Sequence, residues 1–339
     1  MALPEKAYHQ LAPNLRICRT LNGMWQVSGA HGPIDRDAAL QAMLAYHDNG
    51  FTTWDLADHY GPAEDLIGAF RRRVSAEQGN EALGSFQALT KWVPSPGPMN
   101  RQIVERAIGV SCRRMDMTTL DLLQFHWWDY ADLRYREAGE NLAALQQAGT
   151  IRHLGLTNFD TAHVAELVEW GIPLVSNQVQ YSLIDRRPQV QMAAFCQNHG
   201  IGLLTYGTLC GGLLSDRYLG QPEPQSADLT TASLRKYKRM IDIWGDWALF
   251  QELLVVLRTI ADRTGTSIAT VAIRAILDQP AVAGVIVGAR LGVAEHRDAT
   301  TAVFNMQLSD EDRDEIDTVL ARSNDLFQII GDCGDEYRR

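Results

Sequence analysis

The sequence predicts a (β/α)8 barrel, an α/β fold built on eight parallel strands. Three observations point there. Eight short, β-rich apolar runs alternate with longer stretches of helical periodicity along most of the 339 residues. No G-x-G-x-x-G turn opens a dinucleotide-binding unit of the doubly wound kind. No Pro- or Ser-rich linker divides the chain, so one domain with a core over about 15–323 is expected rather than two.

The first strand run is Leu15–Gln26. A helix over Arg36–Asn49 follows, with Ala39, Met43, Leu44 and Tyr46 at near-helical spacing and Gly50 as its stop. Thr52–Ala57 and Phe86–Trp92 are the second and third strands, and Asn100–Met115 is the next clear helix. Leu120–Trp127 and Arg152–Thr157 are the fourth and fifth strands. Asp160 is placed to cap the helix after the fifth, and Gly171 to end it. Leu174–Val179, a helix over Arg187–His199, Gly202–Tyr206 and Gly284–Gly288 complete the series. The stretch 207–247 is enriched in Gly, Pro and Ser and reads as a long loop after the seventh strand. On a barrel it would lie at the C-terminal face as a lid. An extra C-terminal helix and a tail, 324–339, follow the eighth unit.

Composition narrows the function. Hydrophobic residues make up 46% and charged residues 21%, which suits a globular chain with a large core. Lys and Arg number 31 against 41 Asp and Glu, a net charge of −10, which argues against a nucleic-acid binder. Five widely spaced cysteines (Cys18, Cys112, Cys196, Cys210 and Cys333) give neither a disulfide framework nor a zinc pattern. They read as buried thiols in a reducing compartment, and a cytoplasmic location is expected. No signal-peptide core or apolar run of membrane-spanning length is present, so no membrane partner is expected.

Chemistry is concentrated at strand ends. Asp55 ends the second strand, Tyr60 follows five residues later, Lys91 ends the third strand and His126 the fourth. Charged groups there are costly to bury unless paired. A carboxylate beside a lysine fixes the ammonium. The ammonium stabilises a phenolate, and a neutral imidazole can hydrogen-bond a carbonyl. Such a group makes a general acid for a developing alkoxide. A metal role for Asp55, His59 and His126 is disfavoured, because Lys91 would repel the ion; no metal is expected.

In order, spacing and strand context, these four residues resemble the catalytic tetrad of the aldo-keto reductases. The likeness runs from about Leu21 to Asp298. It includes Asp55–Gly61 with Glu64, the turn Gly155-Leu156-Thr157-Asn158-Phe159, and the strand Asn177-Gln178-Val179-Gln180-Tyr181. It continues through Thr205–Leu214 and the segment Ile286-Val287-Gly288-Ala289-Arg290. The resemblance implies a barrel that binds extended NADPH and passes hydride between nicotinamide and a carbonyl carbon. Tyr60 would be the proton donor, Lys91 held by Asp55 would lower the Tyr60 pKa, and His126 would orient the carbonyl. Thr157, Asn158 and Gln178 would meet the carboxamide, and Tyr206 would stack on the nicotinamide. Gly207, Leu209, Gly211 and Gly212 would approach the pyrophosphate, and Gly288, Ala289 and Arg290 the adenosine phosphate end. The usual Gln and Asn of the final helix are replaced by Ala294 or Glu295 and Asp298. Arg290, with Arg297 as a possible second cation, favours NADP(H) over NAD(H).

Met24, Trp25, Trp92 and Trp127 are candidates for an apolar substrate pocket around a small carbonyl compound, with one of Trp127 and Trp128 expected in the pocket and the other packed outside. Trp54 is expected to face the outer helices, and His31 and His59 to be solvated loop residues. The run Arg235–Arg239 is either a solvated helix face or part of a lid that meets phosphate. An alternative function is a redox-sensing barrel that holds NADP(H), reports to a partner protein and turns over little substrate.

Overall fold

The computed structural model describes residues 3–29, 34–294 and 296–338. His31 and Glu295 lie outside them. The chain opens with an antiparallel hairpin, β1 (Tyr8–Ala12) and β2 (Leu15–Cys18). Pro13-Asn14 makes its turn, with Asn14 at φ 60°, a left-handed position that asparagine tolerates. Eight parallel strands then close a barrel. They are β3 (Thr20–Gly23), β4 (Thr53–Asp55), β5 (Gln87–Trp92), β6 (Leu120–Phe125), β7 (Ile151–Thr157), β8 (Leu174–Gln180), β9 (Gly202–Tyr206) and β10 (Val282–Gly288). The last pairs with the first along Val285–Gly288 and Thr20–Gly23. Arg19 fastens this seam, since its guanidinium donates to the carbonyls of Leu277 (2.7 Å), Val282 (2.9 Å) and Ala283 (3.2 Å).

The predicted fold class is the observed one. Three elements differ from expectation. The run Leu15–Gln26 is not one strand but β2, β3 and a 3-10 turn at Trp25–Ser28. The run has no Pro, and no Gly before Gly23, so no turn signal marks the point at Arg19 where the chain leaves the hairpin for the barrel. The helix expected over Arg187–His199 starts late, at Met192, after a 3-10 turn containing Pro188. The stretch 207–247 is far from structureless: it carries a helix, Ala232–Trp244, capped by the Thr231 side chain. Tyr237, Met240, Ile241 and Trp244, at i, i+3, i+4 and i+7, bury its apolar face against Leu213 and Leu253.

Elsewhere local signals hold. Asn100 caps the helix Arg101–Met115 and Asp160 the helix Thr161–Glu169, each through its side-chain oxygen. Trp54 is fully buried against Tyr46 and Phe70 on the helix side of β4. All five cysteines are buried and unbridged. Among the described residues no helix is long and apolar enough to cross a membrane.

Strand alternation layers the barrel interior. Leu21, Leu89, Leu122 and Leu204 fill its lower half, and the β1–β2 hairpin packs Leu11, Ala12, Leu15 and Ile17 against them from below. Two residues further along the strands the interior turns polar, with Lys91 after Leu89 and Gln124 after Leu122. The site sits on this polar layer, at the C-terminal end.

Candidate active site

Lys91 and Asp55 are both about 4% exposed and make a close ion pair. Lys91 Nζ donates to Asp55 Oδ1 (2.8 Å) and Oδ2 (2.7 Å) and to the Leu56 carbonyl (3.0 Å). Asp55 Oδ1 also accepts from Gln124 Nε2 (3.1 Å) and Gln178 Nε2 (2.6 Å). Burial pulls the Lys91 pKa down, with the Asp55 carboxylate opposing it. Asp55 is thus committed to a cation and two amides, which leaves it no part in a metal site.

Tyr60 stands above this pair, its ring centroid 5.0 Å from Lys91 Nζ. Trp25 meets the ring edge-on at 5.0 Å and His59 does so at 4.9 Å. Among the described residues the Tyr60 hydroxyl makes no hydrogen bond. Its pKa is raised, through burial first and then the charges of Asp55, Tyr337 and Asp58. The sequence suggested the opposite direction. The reason is burial, the largest cause, to which the Asp55 carboxylate adds.

His126 follows β6 and is 3% exposed. Its Nδ1 lies 3.1 Å from the Thr157 carbonyl, and its Nε2 is buried without a partner. Burial, the largest cause, lowers its pKa to about 4. Trp128 packs edge-on to the imidazole at 4.2 Å.

Around this centre the structure brings together most of the residues singled out for a cofactor. Asn158, left-handed at φ 58° after β7, accepts from the Tyr206 hydroxyl at 2.8 Å. Its amide nitrogen is unengaged among the described residues. Gln178 gives both amide hydrogens to the barrel interior, to Asp55 and to Gln124 Oε1 (2.6 Å), leaving its Oε1 for a ligand. Gly207 must be glycine, because φ is +73° and a Cβ would come within 2.3 Å of the Tyr237 hydroxyl. Gly211 is likewise left-handed beneath Ser233 and Tyr237, whereas Gly212 faces open space, and Leu209 is partly buried against the apolar core. Arg290 is exposed and has no ion-pair partner among the described residues.

Some expectations fail. Met24 is fully buried among core residues. Trp92 stacks on Phe125 at 5.6 Å, because Lys91 points inward and its neighbour must point out. Trp127 is 3% exposed, packs on Phe125 and Tyr135, and donates its indole N–H to the carbonyls of Asp129 and Asp132. Trp128, by contrast, is exposed and meets the His126 ring. The Ala289 amide is not free for a phosphate, since it donates to the Gly23 carbonyl at 2.9 Å. Arg297 donates to the Ala45 carbonyl and lies over Tyr46.

Sequence reasoning also missed several neighbours. Gln124 was legible as the inward residue two before His126. Lys236, in the basic run, turns toward the site and lies 5.2 Å over the Tyr206 ring. The tail gave no signal, yet it packs here. Gly334 approaches Asn158 so closely that a Cβ would lie 2.0 Å from its carbonyl oxygen. Glu336 pairs with Arg187 at 2.9 Å, and Arg187 is fully engaged with Asp185 and the Asp332 carbonyl. Burial works to raise the Glu336 carboxyl, but Arg187 and Lys236 outweigh it and hold its pKa below the usual value. Tyr337 accepts from Lys236, and Arg338 lies 4.0 Å over the Tyr130 ring.

The donor set of this arc fits a nicotinamide dinucleotide. It offers one aromatic face, two primary amides, left-handed glycines that permit close backbone approach, and the cations Lys236 and Arg290.

Comparison with known proteins agrees with this fold. The sequence model of the Aldo/keto reductase family matches residues 20–321. The chain is 27% identical over 304 residues to flagellar radial spoke protein 5 of Chlamydomonas reinhardtii, covering 71% of this chain but only 57% of that longer protein. It is 26% identical over 334 residues to L-glyceraldehyde 3-phosphate reductase of Escherichia coli O157:H7, covering 94% of this chain and 93% of the relative. The solved structure of glycerol dehydrogenase AKR11B4 from Gluconobacter oxydans superposes with a TM-score of 0.77 at 24% identity, over 94% of this chain and 96% of that one.

Proposed function

The chain belongs to the aldo/keto reductase family, whose members are oxidoreductases that use a nicotinamide cofactor, and from that premise we propose that it reduces an aldehyde or ketone to the alcohol with NADPH. The observation that carries this reading is the unengaged Tyr60 hydroxyl, raised in pKa and standing over the buried Lys91–Asp55 pair.

When bound, a nicotinamide cofactor would supply hydride for the carbonyl carbon. Asn158 and the free Gln178 Oε1 would hold its carboxamide, Tyr206 its ring, and the backbone at Gly207–Gly212 its pyrophosphate. Arg290 would meet a 2′-phosphate, which favours NADPH over NADH. Tyr60, protonated at neutral pH, gives its proton to the carbonyl oxygen as charge develops there. Lys91 then stabilises the phenolate that forms, and Asp55, Gln124 and Gln178 keep the ammonium in place. Trp25 and Trp128 wall the substrate.

The test is NADPH consumption with 4-nitrobenzaldehyde. Tyr60→Phe keeps the ring and removes the proton, and it is expected to lower kcat at least about a hundredfold. Full activity in that variant sinks the reading. Tight NADP(H) binding with no turnover over a broad carbonyl panel would instead favour the redox-reporting alternative.

A further inference from the structure

Three polar side chains beneath the site close on one another. Asp55, Gln124 and Gln178 come from β4, β6 and β8, alternate strands of the barrel, and alternate strands are those whose inward residues share a layer. All three are buried, Gln124 completely. Gln124 Nε2 donates to Asp55 Oδ1 (3.1 Å) and to the Leu89 carbonyl (3.3 Å). A carboxylate and a carbonyl can only accept, so the Gln124 amide has one way round: its nitrogen faces them and its Oε1 faces Gln178. Gln178 Nε2 then meets two acceptors at 2.6 Å each, Gln124 Oε1 and Asp55 Oδ1. That uses both of its hydrogens. Turned over, Gln178 would set its oxygen against a carboxylate and a carbonyl.

We propose that Gln124 is a positioning residue for the cofactor: it holds the Gln178 amide in the one orientation that offers Oε1 to the N–H of a nicotinamide carboxamide. The proposal rests on the cofactor reading above and deepens it. Gln124 touches neither cofactor nor substrate, and toward the cofactor it acts through Gln178. Without its Oε1, the Gln178 amide hangs on Asp55 alone and can tilt about that single bond. One buried N–H is then left without an acceptor, which is costly. Hydrogen bonds in series also polarise one another, so an amide that donates to both Asp55 and Gln124 presents a more negative Oε1 to the ligand.

Equilibrium binding tests this without turnover. Tryptophan fluorescence titrations compare NADP+ with its 3-acetylpyridine analogue, in which a methyl replaces the carboxamide NH2 and leaves no donor for Oε1. NAD+ and its analogue are run in parallel, and 2′,5′-ADP and ADP, which lack the nicotinamide, are the controls. The wild type is expected to favour the natural dinucleotide over its analogue by about fivefold or more. Gln124→Leu should shrink that preference to less than about twofold and leave the affinity for the controls unchanged. In a Gln178→Leu background the same substitution should change the preference no further. Gln124→Met supplies an unbranched replacement should the leucine variant fold poorly. Equal losses for dinucleotide, analogue and controls mark a merely structural role and overturn the proposal. A preference that survives in the Gln124 variants, or that is absent from the wild type, also overturns it. Each of these results leaves the reductase reading standing. No binding of either dinucleotide removes that reading and this proposal together.

Discussion

The hydroxyls of Tyr206 and Tyr337 lie 3.1 Å apart, joining the end of a barrel strand to the end of the chain. Lys236 donates to Tyr337 and sits over the Tyr206 ring, so the tail holds a cation against the surface on which a nicotinamide would rest. Tyr337→Ala is expected to loosen Lys236 and speed NADPH association by about fivefold or more, as the closed arrangement loses population. Stopped-flow fluorescence checks this. Because Tyr337 is exposed, its loss should change stability by only about 0.5 kcal/mol.

Lys91 and Asp55 are coupled in stability as well as chemistry. Lys91→Met leaves a buried carboxylate facing only amides and is expected to cost about 3–5 kcal/mol in urea unfolding. Asp55→Asn in the Lys91→Met background should recover part of that loss, a non-additivity that a double-mutant cycle measures directly.

The His126 imidazole carries a pH signature. Its folded pKa, about 4, lies below the unfolded value of 6.5, so between those values the unfolded chain binds more protons. Its neutral burial therefore costs nothing above pH 6.5, and stability falls as the pH drops from there toward 4. Relative to His126→Phe, the wild type should lose about 2 kcal/mol of unfolding free energy between pH 7 and pH 5. Parallel denaturation curves for the two proteins at both values decide it.

The adjacent tryptophans should separate cleanly. Trp127→Ala removes a buried ring with two carbonyl partners and is expected to cost about 3–5 kcal/mol of stability. Trp128, 44% exposed, packs on the His126 ring. Trp128→Ala should leave stability within about 1 kcal/mol and raise KM for the carbonyl substrate.

Arg290 bears on cofactor choice. If it meets the 2′-phosphate, Arg290→Ala should weaken NADPH binding by about tenfold and leave NADH binding nearly unchanged. Equal losses for both cofactors would remove the assigned role.

The barrel was legible because its strands are short apolar runs alternating with helical periodicity, and because caps such as Asn100 and Asp160 mark where helices begin. The order Asp55, Tyr60, Lys91, His126 was legible for the same reason: strand ends share one face of a barrel. Parity along a strand decides which aromatic neighbours can join them. Lys91 faces inward, so Trp92 faces outward, and proximity in sequence misled there and at Trp127. Other features needed the folded chain. His126 is seated against a carbonyl 31 residues away. The tail is seated by Glu336 on Arg187, a pairing across 149 residues that no local pattern announces.

The seam held by Arg19 has a consequence for biogenesis. Its acceptors, Leu277, Val282 and Ala283, lie more than 250 residues downstream, separated from it by 258, 263 and 264 positions. A ribosome must therefore extrude most of the polypeptide before the first strand finds its second neighbour. Until then β3 and β9 are open edges, able to recruit strands from other nascent chains. Fragments truncated before β10 should be insoluble, and the yield of the protein in a cell should depend on chaperone capacity more than on the stability of the finished barrel.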